Sequence, residues 1–388
     1  MENRDYMRRA VDLAKKGAGW TNPNPMVGAV IVKNGKIIGE GYHRKYGELH
    51  AERNAFASLT EPAKGADMYV TLEPCCHYGR TPPCTEAILE HGIAHVYIGS
   101  RDPNPLVAGK GAQLLQEHGV MVTQDFLKEE CDALNPVFFH YITTGLPYVV
   151  MKYAMTLDGK IAAYTGISKW ITGEEARRHV HLLRSRYSAV LAGIGTVLAD
   201  DPLLNCRAAA DSRSPHQPLR IIVDSHLRIP LESQICRTAA AYPTLVACAH
   251  RDGSKAAQLE HLGIQVLCFP EGNADRKTPE LTGSDEGRVN LRSLMQWLGK
   301  HQIDSVLLEG GGTIHEAALR AGIVNHVCAY IAPRLLGGQH AKTPIEGLGA
   351  ATPDLAAHLK NLRVTTLGED LLLRYDMEGG MNHVYWNC

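Results

Sequence analysis

His50-Ala51-Glu52 and, further on, Pro74-Cys75-Cys76-His77-Tyr78-Gly79-Arg80-Thr81-Pro82-Pro83-Cys84 are the two stretches from which the fold can be read. Together they supply one imidazole, two thiols and a nearby carboxylate, a donor set that suits zinc. Three protein ligands, His50, Cys75 and Cys84, leave the fourth tetrahedral position for water, as in a catalytic rather than a structural site. A zinc ion makes such a water acidic near neutral pH. Glu52 follows His50 by two residues at the start of a predicted helix, placed to shuttle protons without being a ligand. Cys84 is predicted to open another helix, whose N-terminal end favours a thiolate. His-x-Glu with a Pro-Cys motif and a second Cys marks zinc deaminases of nucleobases.

A lone His-x-Glu is ordinarily a helix surface, and a lone cysteine ordinarily core packing. The two halves together, each at a helix start, make chance a poor explanation. Cys76 and His77 compete for the metal on composition alone. Adjacent residues in a turn rarely share one tetrahedral ion, so Cys76 is assigned to packing and His77 to the substrate side. Eight residues separate Cys75 from Cys84 where the usual signature has two. The longer loop lets Arg80 reach over the site toward an anionic or carbonyl-bearing substrate.

Around these stretches the chain reads as alternating α/β structure. A helix with Tyr6, Met7, Ala10, Val11 and Ala14 at helical spacing opens it. Val27–Val32 and Lys36–His43 flank Asn34-Gly35, a hairpin signal. A helix over His50–Leu59, a strand over Met68–Thr71, a helix over Cys84–His91, a strand over His95–Ile98 and a helix over Gln113–His118 follow. Thr144-Gly145-Leu146-Pro147 punctuates the chain, which sets domains at 1–145 and 146–388. The second series has strands near Tyr148–Met151, Ala189–Leu191, Leu219–Val223, Thr244–Ala249, Ile264–Phe269, Ser305–Leu308 and Val327–Ile331. A capping box of Thr172 and Glu175 announces one helix, and Leu291, Leu294, Met295 and Leu298 mark another. Loops are expected over Ala208–Pro218 and Gly272–Gly287, and a loose tail from Glu378.

With 388 residues, 45% of them hydrophobic, the chain is long enough for two to three buried cores. Forty Lys and Arg against 41 Asp and Glu leave a charge of −1, which disfavours nucleic acid and lipid headgroups as partners. No stretch approaches a membrane span or a signal peptide, and the ten cysteines form no dense disulfide framework. A cytoplasmic enzyme, expected as a homo-oligomer, is the reading.

Glu309-Gly310-Gly311-Gly312-Thr313 lies between a strand and a helical pattern, a backbone-lined turn that favours phosphate. It is not the GxGxxG fingerprint. By itself it is as readily a tight connection. Gly193, Gly195 and Thr196 form a second such turn, and Ser225 ends the strand Leu219–Val223, in keeping with ligands bound near strand ends.

Residues 1–145 resemble the deaminase half of the bifunctional riboflavin-biosynthesis deaminase/reductase family. The likeness is carried by Thr21-Asn22-Pro23-Asn24-Pro25-Met26-Val27-Gly28-Ala29, His50-Ala51-Glu52 and Pro74–Cys84. The rest resembles the reductase half through Lys152–Ala162, Ser168–Thr172, His181–Arg186, Gly193–Thr196, Asp200-Asp201-Pro202 and Glu309–Gly312. The resemblance implies a cytidine-deaminase-like three-layer α/β domain followed by a dihydrofolate-reductase-like domain. It also implies zinc on His50, Cys75 and Cys84, with Glu52 catalytic. The NADPH site would be lined by Ala154, Trp170, Thr196, Asp200, Ser225 and the stretch from Gly311, Gly312 and Thr313 to Ala317. Ser168, Arg184, Leu204, Arg207 and Glu309 would hold the substrate, a pyrimidine ribosyl phosphate. Arg184 and Arg207 suit its 5′-phosphate as forks, although the arginines of that helical segment equally read as a solvated face. Lys152 and Asp200 are the two candidates for the reductive proton. Two rival readings are a nucleic-acid-editing deaminase fused to an unrelated reductase, and a non-catalytic zinc module. The first lacks a basic, aromatic-studded surface; the second leaves Glu52 and the phosphate-binding set without a purpose.

Overall fold

The computed structural model describes residues 2–78, 82–104, 107–207, 215–270 and 287–378. Two compact units, Met1–Gly145 and Leu146–Cys388, each carry their own sheet. Arg80, residues 208–214 and 272–286 of the expected loops, and the tail from Gly379 lie outside the described residues. Among the described residues no helix is long and apolar enough to cross a membrane.

The first unit begins with α1 (Asn3–Lys15), then β1 (Gly28–Lys33) and β2 (Lys36–Tyr42). Asn34 and Gly35 both take left-handed backbone, φ 49° and 74°, which matches the hairpin turn to the strand twist. Next come α2 (Ala51–Ala57), β3 (Asp67–Leu72), α3 (Cys84–Glu90), β4 (His95–Ser100), α4 (Lys110–Glu117), β5 (Met121–Thr123), α5 (Lys128–Asp132) and α6 (Pro136–Thr144). The sheet runs β2-β1-β3-β4-β5, with β1 antiparallel to both neighbours and β3, β4 and β5 parallel. One face buries Val30, Val32 and Tyr69 under Met7, Ala10 and Ala14 of α1; the other buries Ala29, Ile31, Met68 and Val70 under Ala55, Ile88 and Leu115. The result is three layers. At Gly41 a Cβ would stand 2.2 Å from the Ala55 nitrogen and 2.4 Å from the Ala51 carbonyl, so only glycine lets α2 lie this close on β2.

The second unit comprises β6 (Tyr148–Thr156), α7 (Glu174–Arg186), β7 (Ala189–Gly193), α8 (Ile194–Asp200), β8 (Leu219–Val223), α9 (Gln234–Arg237), β9 (Thr244–Cys248) and α10 (Gly253–His261). It continues with β10 (Gln265–Cys268), α11 (Leu291–Lys300), β11 (Ser305–Leu308), α12 (Gly312–Arg320), β12 (His326–Ala332), β13 (Leu359–Leu367) and β14 (Asp370–Met377). The sheet order is β10-β9-β8-β7-β11-β6-β12-β14-β13, parallel up to β12 and antiparallel beyond. Strands such as β9 and β11 are buried along their whole length, because helices cover both faces of the parallel part. Inserting β11 between β7 and β6 puts the end of the Ser305–Leu308 strand, and hence Glu309, at the middle of the sheet.

One expectation is corrected and one element is added. The helix announced by Thr172 and Glu175 starts at Glu174 with Gly173 as its N-cap, and no side chain caps it. The Thr172 carbonyl instead accepts from Arg177 Nη1 at 2.6 Å, so the capping box does not form. The β13–β14 hairpin went unread because an edge strand exposed along most of its length needs no apolar period.

Candidate active sites

In the first unit three separate elements deliver the ligand atoms. His50 is the N-cap of α2, Cys75 lies in the turn after β3, and Cys84 is the first residue of α3, behind Pro83. His50 Nδ1 stands 3.5 Å from Cys75 Sγ and 3.4 Å from Cys84 Sγ, and all three donor atoms lie within 4.8 Å of one another. A zinc ion with bonds of ~2.0–2.3 Å requires N–S edges of about 3.5 Å, so the triangle fits. The Cys84 N–H donates to Cys75 Sγ at 3.4 Å, and the Thr85 N–H to the Cys75 carbonyl at 3.2 Å, clamping the turn on the helix start. Arg53 of α2 donates to the carbonyls of Pro82 and Pro83, which ties the two helices that hold the ligands.

Glu52 sits one position into α2 and is buried. Burial pushes its carboxyl above the ordinary range, which makes it a stronger base than a solvated glutamate and suits a shuttle. The Cys84 thiol and the His50 ring hold Cys75 far below the ordinary thiol range.

A cavity of about 280 Å³ opens beside the triangle, lined in part by Asn24, His43, His50, Glu52, Cys75, His77, Asp102 and Asn104. Sequence reading placed His77 on the substrate side and it does line this cavity; its Nδ1 is buried without a hydrogen-bond partner among the described residues. It missed His43, whose Nδ1–H donates to the Leu49 carbonyl at 3.1 Å and whose Nε2 faces Asn24 Nδ2 at 3.5 Å. It also missed Asp102 and Asn104 after β4, where Asp102 accepts from the Asn104 N–H at 2.8 Å and burial raises its carboxyl to about 6. No spacing signal marks these residues; only the end of a central strand could have suggested them.

In the second unit a cavity of about 720 Å³ lies against the ends of β7 and β11. Of the residues expected there, Ala154, Ser168, Trp170, Thr196, Asp200, Arg184, Leu204, Arg207, Glu309 and Gly311 line it. Ser225, Gly312 and Thr313 do not. The Ser225 carbonyl takes the N–H groups of Ala249 and His250, and Thr313 faces solvent. Gly312 is pressed on Thr343 and Glu346, where a Cβ would come within 2.7 Å of the Thr343 carbonyl. Gly310, at φ 103°, makes the turn that presents Gly311. Gly311 caps α12 with no side chain, so first-turn N–H groups stay available to a phosphate.

Arg184 corrects a further expectation. Its Nε and Nη2 hold the Glu309 carboxylate at 2.5 and 2.8 Å, and its Nη1 donates to the Asn205 carbonyl at 3.1 Å. The fork is spent on protein, not held out for a phosphate. Lys152 Nζ approaches the same carboxylate at 3.7 Å. Burial opposes a charge on Glu309, yet Arg184 and Lys152 outweigh it and hold the carboxyl at about 2. Burial lowers Lys152 below the ordinary lysine range. Asp200 accepts from Ser168 Oγ at 2.7 Å, and the Arg177 guanidinium stacks 4.5 Å from the centre of the half-exposed Trp170 ring.

Comparison with known proteins matches each unit to a family. The "Cytidine and deoxycytidylate deaminase zinc-binding region" family matches residues 1–100, and the "RibD C-terminal domain" family matches residues 147–373. The riboflavin biosynthesis protein RibD of Actinobacillus pleuropneumoniae is 55% identical over 377 residues, covering 97% of this chain and 95% of that protein. That of Escherichia coli K12 is 41% identical over 346 residues, covering 87% and 89%. The solved structure of Acinetobacter baumannii RibD superposes with a TM-score of 0.83 at 38% identity, covering 96% and 98%. A Thermotoga maritima diaminohydroxyphosphoribosylaminopyrimidine deaminase/5-amino-6-(5-phosphoribosylamino)uracil reductase gives 0.80 at 34%, with the same coverage. A zinc-type triangle in one unit, a glycine-lined cleft in the other and relatives spanning nearly the whole length agree: this chain belongs to the RibD family of bifunctional riboflavin-biosynthesis deaminase/reductases.

Proposed function

We propose that the first cavity deaminates 2,5-diamino-6-ribosylamino-4(3H)-pyrimidinone 5′-phosphate and that the second reduces the ribosyl group of the product to ribityl, giving 5-amino-6-(5-phosphoribitylamino)uracil. The observation that carries the reading is the convergence of His50, Cys75 and Cys84 beside a buried Glu52. Those three residues would hold the zinc, which supplies an acidified water. Glu52 then takes a proton from the attacking water and returns it to the departing amine, so that water adds at C2, the exocyclic C2–NH2 bond breaks, ammonia leaves and C2 becomes a carbonyl carbon with the ring intact. His77, Asn24, Asp102 and Asn104 are placed to orient the pyrimidine in the remainder of the cavity.

In the second cavity NADPH supplies the hydride for C1′ of the ring-opened sugar. Gly311 and the start of α12, with Ala154, Trp170, Thr196 and Asp200, form the wall suited to the cofactor. Ser168, Leu204, Arg207 and Glu309 form the wall suited to the substrate. The proton required at the sugar oxygen is assigned to Lys152. Its ammonium is buried, drawn down by that burial, and oriented by Glu309, whereas Asp200 is engaged with Ser168. Arg207, exposed at the rim, is the residue assigned to the 5′-phosphate.

We place the protein in the cytoplasm, where the nine cysteines among the described residues, none of them in a disulfide, would stay reduced. We assign it a homo-oligomeric state, supported by the edge strand β13 with Leu359, Leu362 and Val364 exposed, a pattern that invites a second copy. A monomeric mass by light scattering at micromolar concentration would reject that state. The decisive test of function feeds the purified protein the diamino substrate and follows ammonia release and NADPH loss separately. Both should occur, ammonia first; ammonia without NADPH loss, or neither, would reject the two-site reading.

A further inference from the structure

With the Arg184 fork closed on Glu309, only Arg207 of the two expected arginines is open to a phosphate. Arg207 lines the cavity together with Asp201, Pro202, Leu203 and Leu204. An exposed arginine ordinarily wanders, but this one is braced. Its backbone N–H donates to His181 Nδ1 at 3.3 Å, and its Nη2 stands 3.3 Å from His181 Nε2. The imidazole therefore touches both the main chain and the guanidinium of one residue. Behind it, the Cys206 thiol donates to the His181 carbonyl at 3.0 Å. The Gln217 amide brackets Cys206, accepting its N–H at 2.9 Å and donating to its carbonyl at 2.8 Å.

His181 lies three residues before Arg184 on α7, so the two project from the same face of one rigid helix. Arg184 fixes Glu309 at the reacting end of the cavity, and also fixes the Asn205 carbonyl in the stretch that carries Arg207. We propose that His181 is a positioning residue that sets Arg207 against Glu309, so that α7 gauges the reach from the sugar's reacting carbon to its 5′-phosphate. This rests on the assignment of Arg207 to the phosphate made above. The ring is suited to the task because it stays neutral: burial, then Arg184 and Arg207, bring it down to about 4, with Glu309 and the Asn205 carbonyl opposing. A neutral imidazole keeps one acceptor nitrogen, which takes either the Arg207 main-chain N–H at Nδ1 or the guanidinium at Nε2 according to the tautomer, where an imidazolium would accept from neither and repel the guanidinium.

The experiment is a double-mutant cycle with His181→Leu, Arg207→Ala and the double variant. It uses 5-amino-6-ribosylaminouracil with and without its 5′-phosphate, and NADPH affinity by fluorescence checks the fold. His181→Leu should raise KM for the phosphorylated substrate about tenfold with kcat within twofold, and leave the unphosphorylated one unchanged. No further rise is expected once Arg207 is Ala, since the two act as one unit. His181→Gln, which keeps an acceptor, should recover most of the loss. An equal KM penalty on both substrates, a loss confined to kcat, or full additivity with Arg207→Ala overturns the role of His181. If Arg207→Ala itself spares the phosphorylated substrate, the phosphate assignment of Arg207 fails instead. If His181→Leu does not bind NADPH, the cycle is run with His181→Ala: a KM rise that vanishes once Arg207 is Ala upholds the proposal, and a rise that persists there, or no rise at all, rejects it.

Discussion

Arg184 and Glu309, 125 residues apart in the chain, meet in a bidentate pair at 2.5 and 2.8 Å with both side chains almost closed to water. Lys152 shares the carboxylate, so one anion answers two buried cations.

Glu309→Gln leaves those cations uncompensated and should cost about 3–5 kcal/mol of the second unit's stability at neutral pH. Glu309 is held at about 2, below its ordinary 4.5, so the folded state binds this proton less readily than the unfolded chain. Its contribution is therefore complete above about pH 4.5 and drains away as the pH falls toward 2. Denaturant titrations of wild type and variant at pH 7 and pH 3 should show the gap narrowing; a gap independent of pH would contradict the account.

Glu52→Gln keeps the size of the side chain and removes its basicity. Bound zinc, measured by elemental analysis, should be unchanged, while ammonia release falls by about 10²–10⁴-fold. Turnover at the wild-type rate would remove Glu52 from the shuttle.

Removing the metal separates the two activities. A strong chelator should abolish ammonia release from the diamino substrate and leave NADPH oxidation intact when the deaminated substrate is supplied, because the three ligand residues all belong to the first unit. Cys84→Ser should behave likewise. Loss of both activities on chelation would show that the metal serves more than the first site.

Arg220 is wholly buried and donates to the carbonyls of Leu203, Ile235 and Tyr242 and to the hydroxyls of Thr238 and Thr244. Burial brings it down to about 10, so it remains charged at physiological pH. Arg220→Met should destabilise the second unit by at least about 3 kcal/mol, since several acceptors lose their donor at once. It should also raise the reductase KM, because Leu203 belongs to the cavity wall. A thermal midpoint unchanged from wild type would show that water replaces the guanidinium at no cost.

Much of this molecule is legible from local chemistry. Cysteine after Pro82-Pro83 starts a helix because proline presets the entry, histidine before Ala51-Glu52 sits where a helix begins, and Asn34-Gly35 turns a hairpin. Those features depend on a few neighbouring residues, so they survive without knowledge of the fold. The alternation of strands and helices is legible for the same reason, apart from the short elements β5, α5 and α6 and the exposed β13–β14 edge, whose outer strand carries no periodic burial to read.

Partnership is another matter. A guanidinium fork accepts a carboxylate or a phosphate with equal ease, and nothing near Arg184 in the chain tells which it will meet. Only the insertion of β11 beside β7 brings Glu309 to it and leaves Arg207 to the rim. Asn24, His43, Asp102 and Asn104 likewise acquire a shared cavity only when the first sheet is assembled. Sequence alone settles what each segment does with its own backbone; which side chains face one another across a hundred residues is settled by strand order, because polar contacts act over about 3 Å and are blind to distance along the chain.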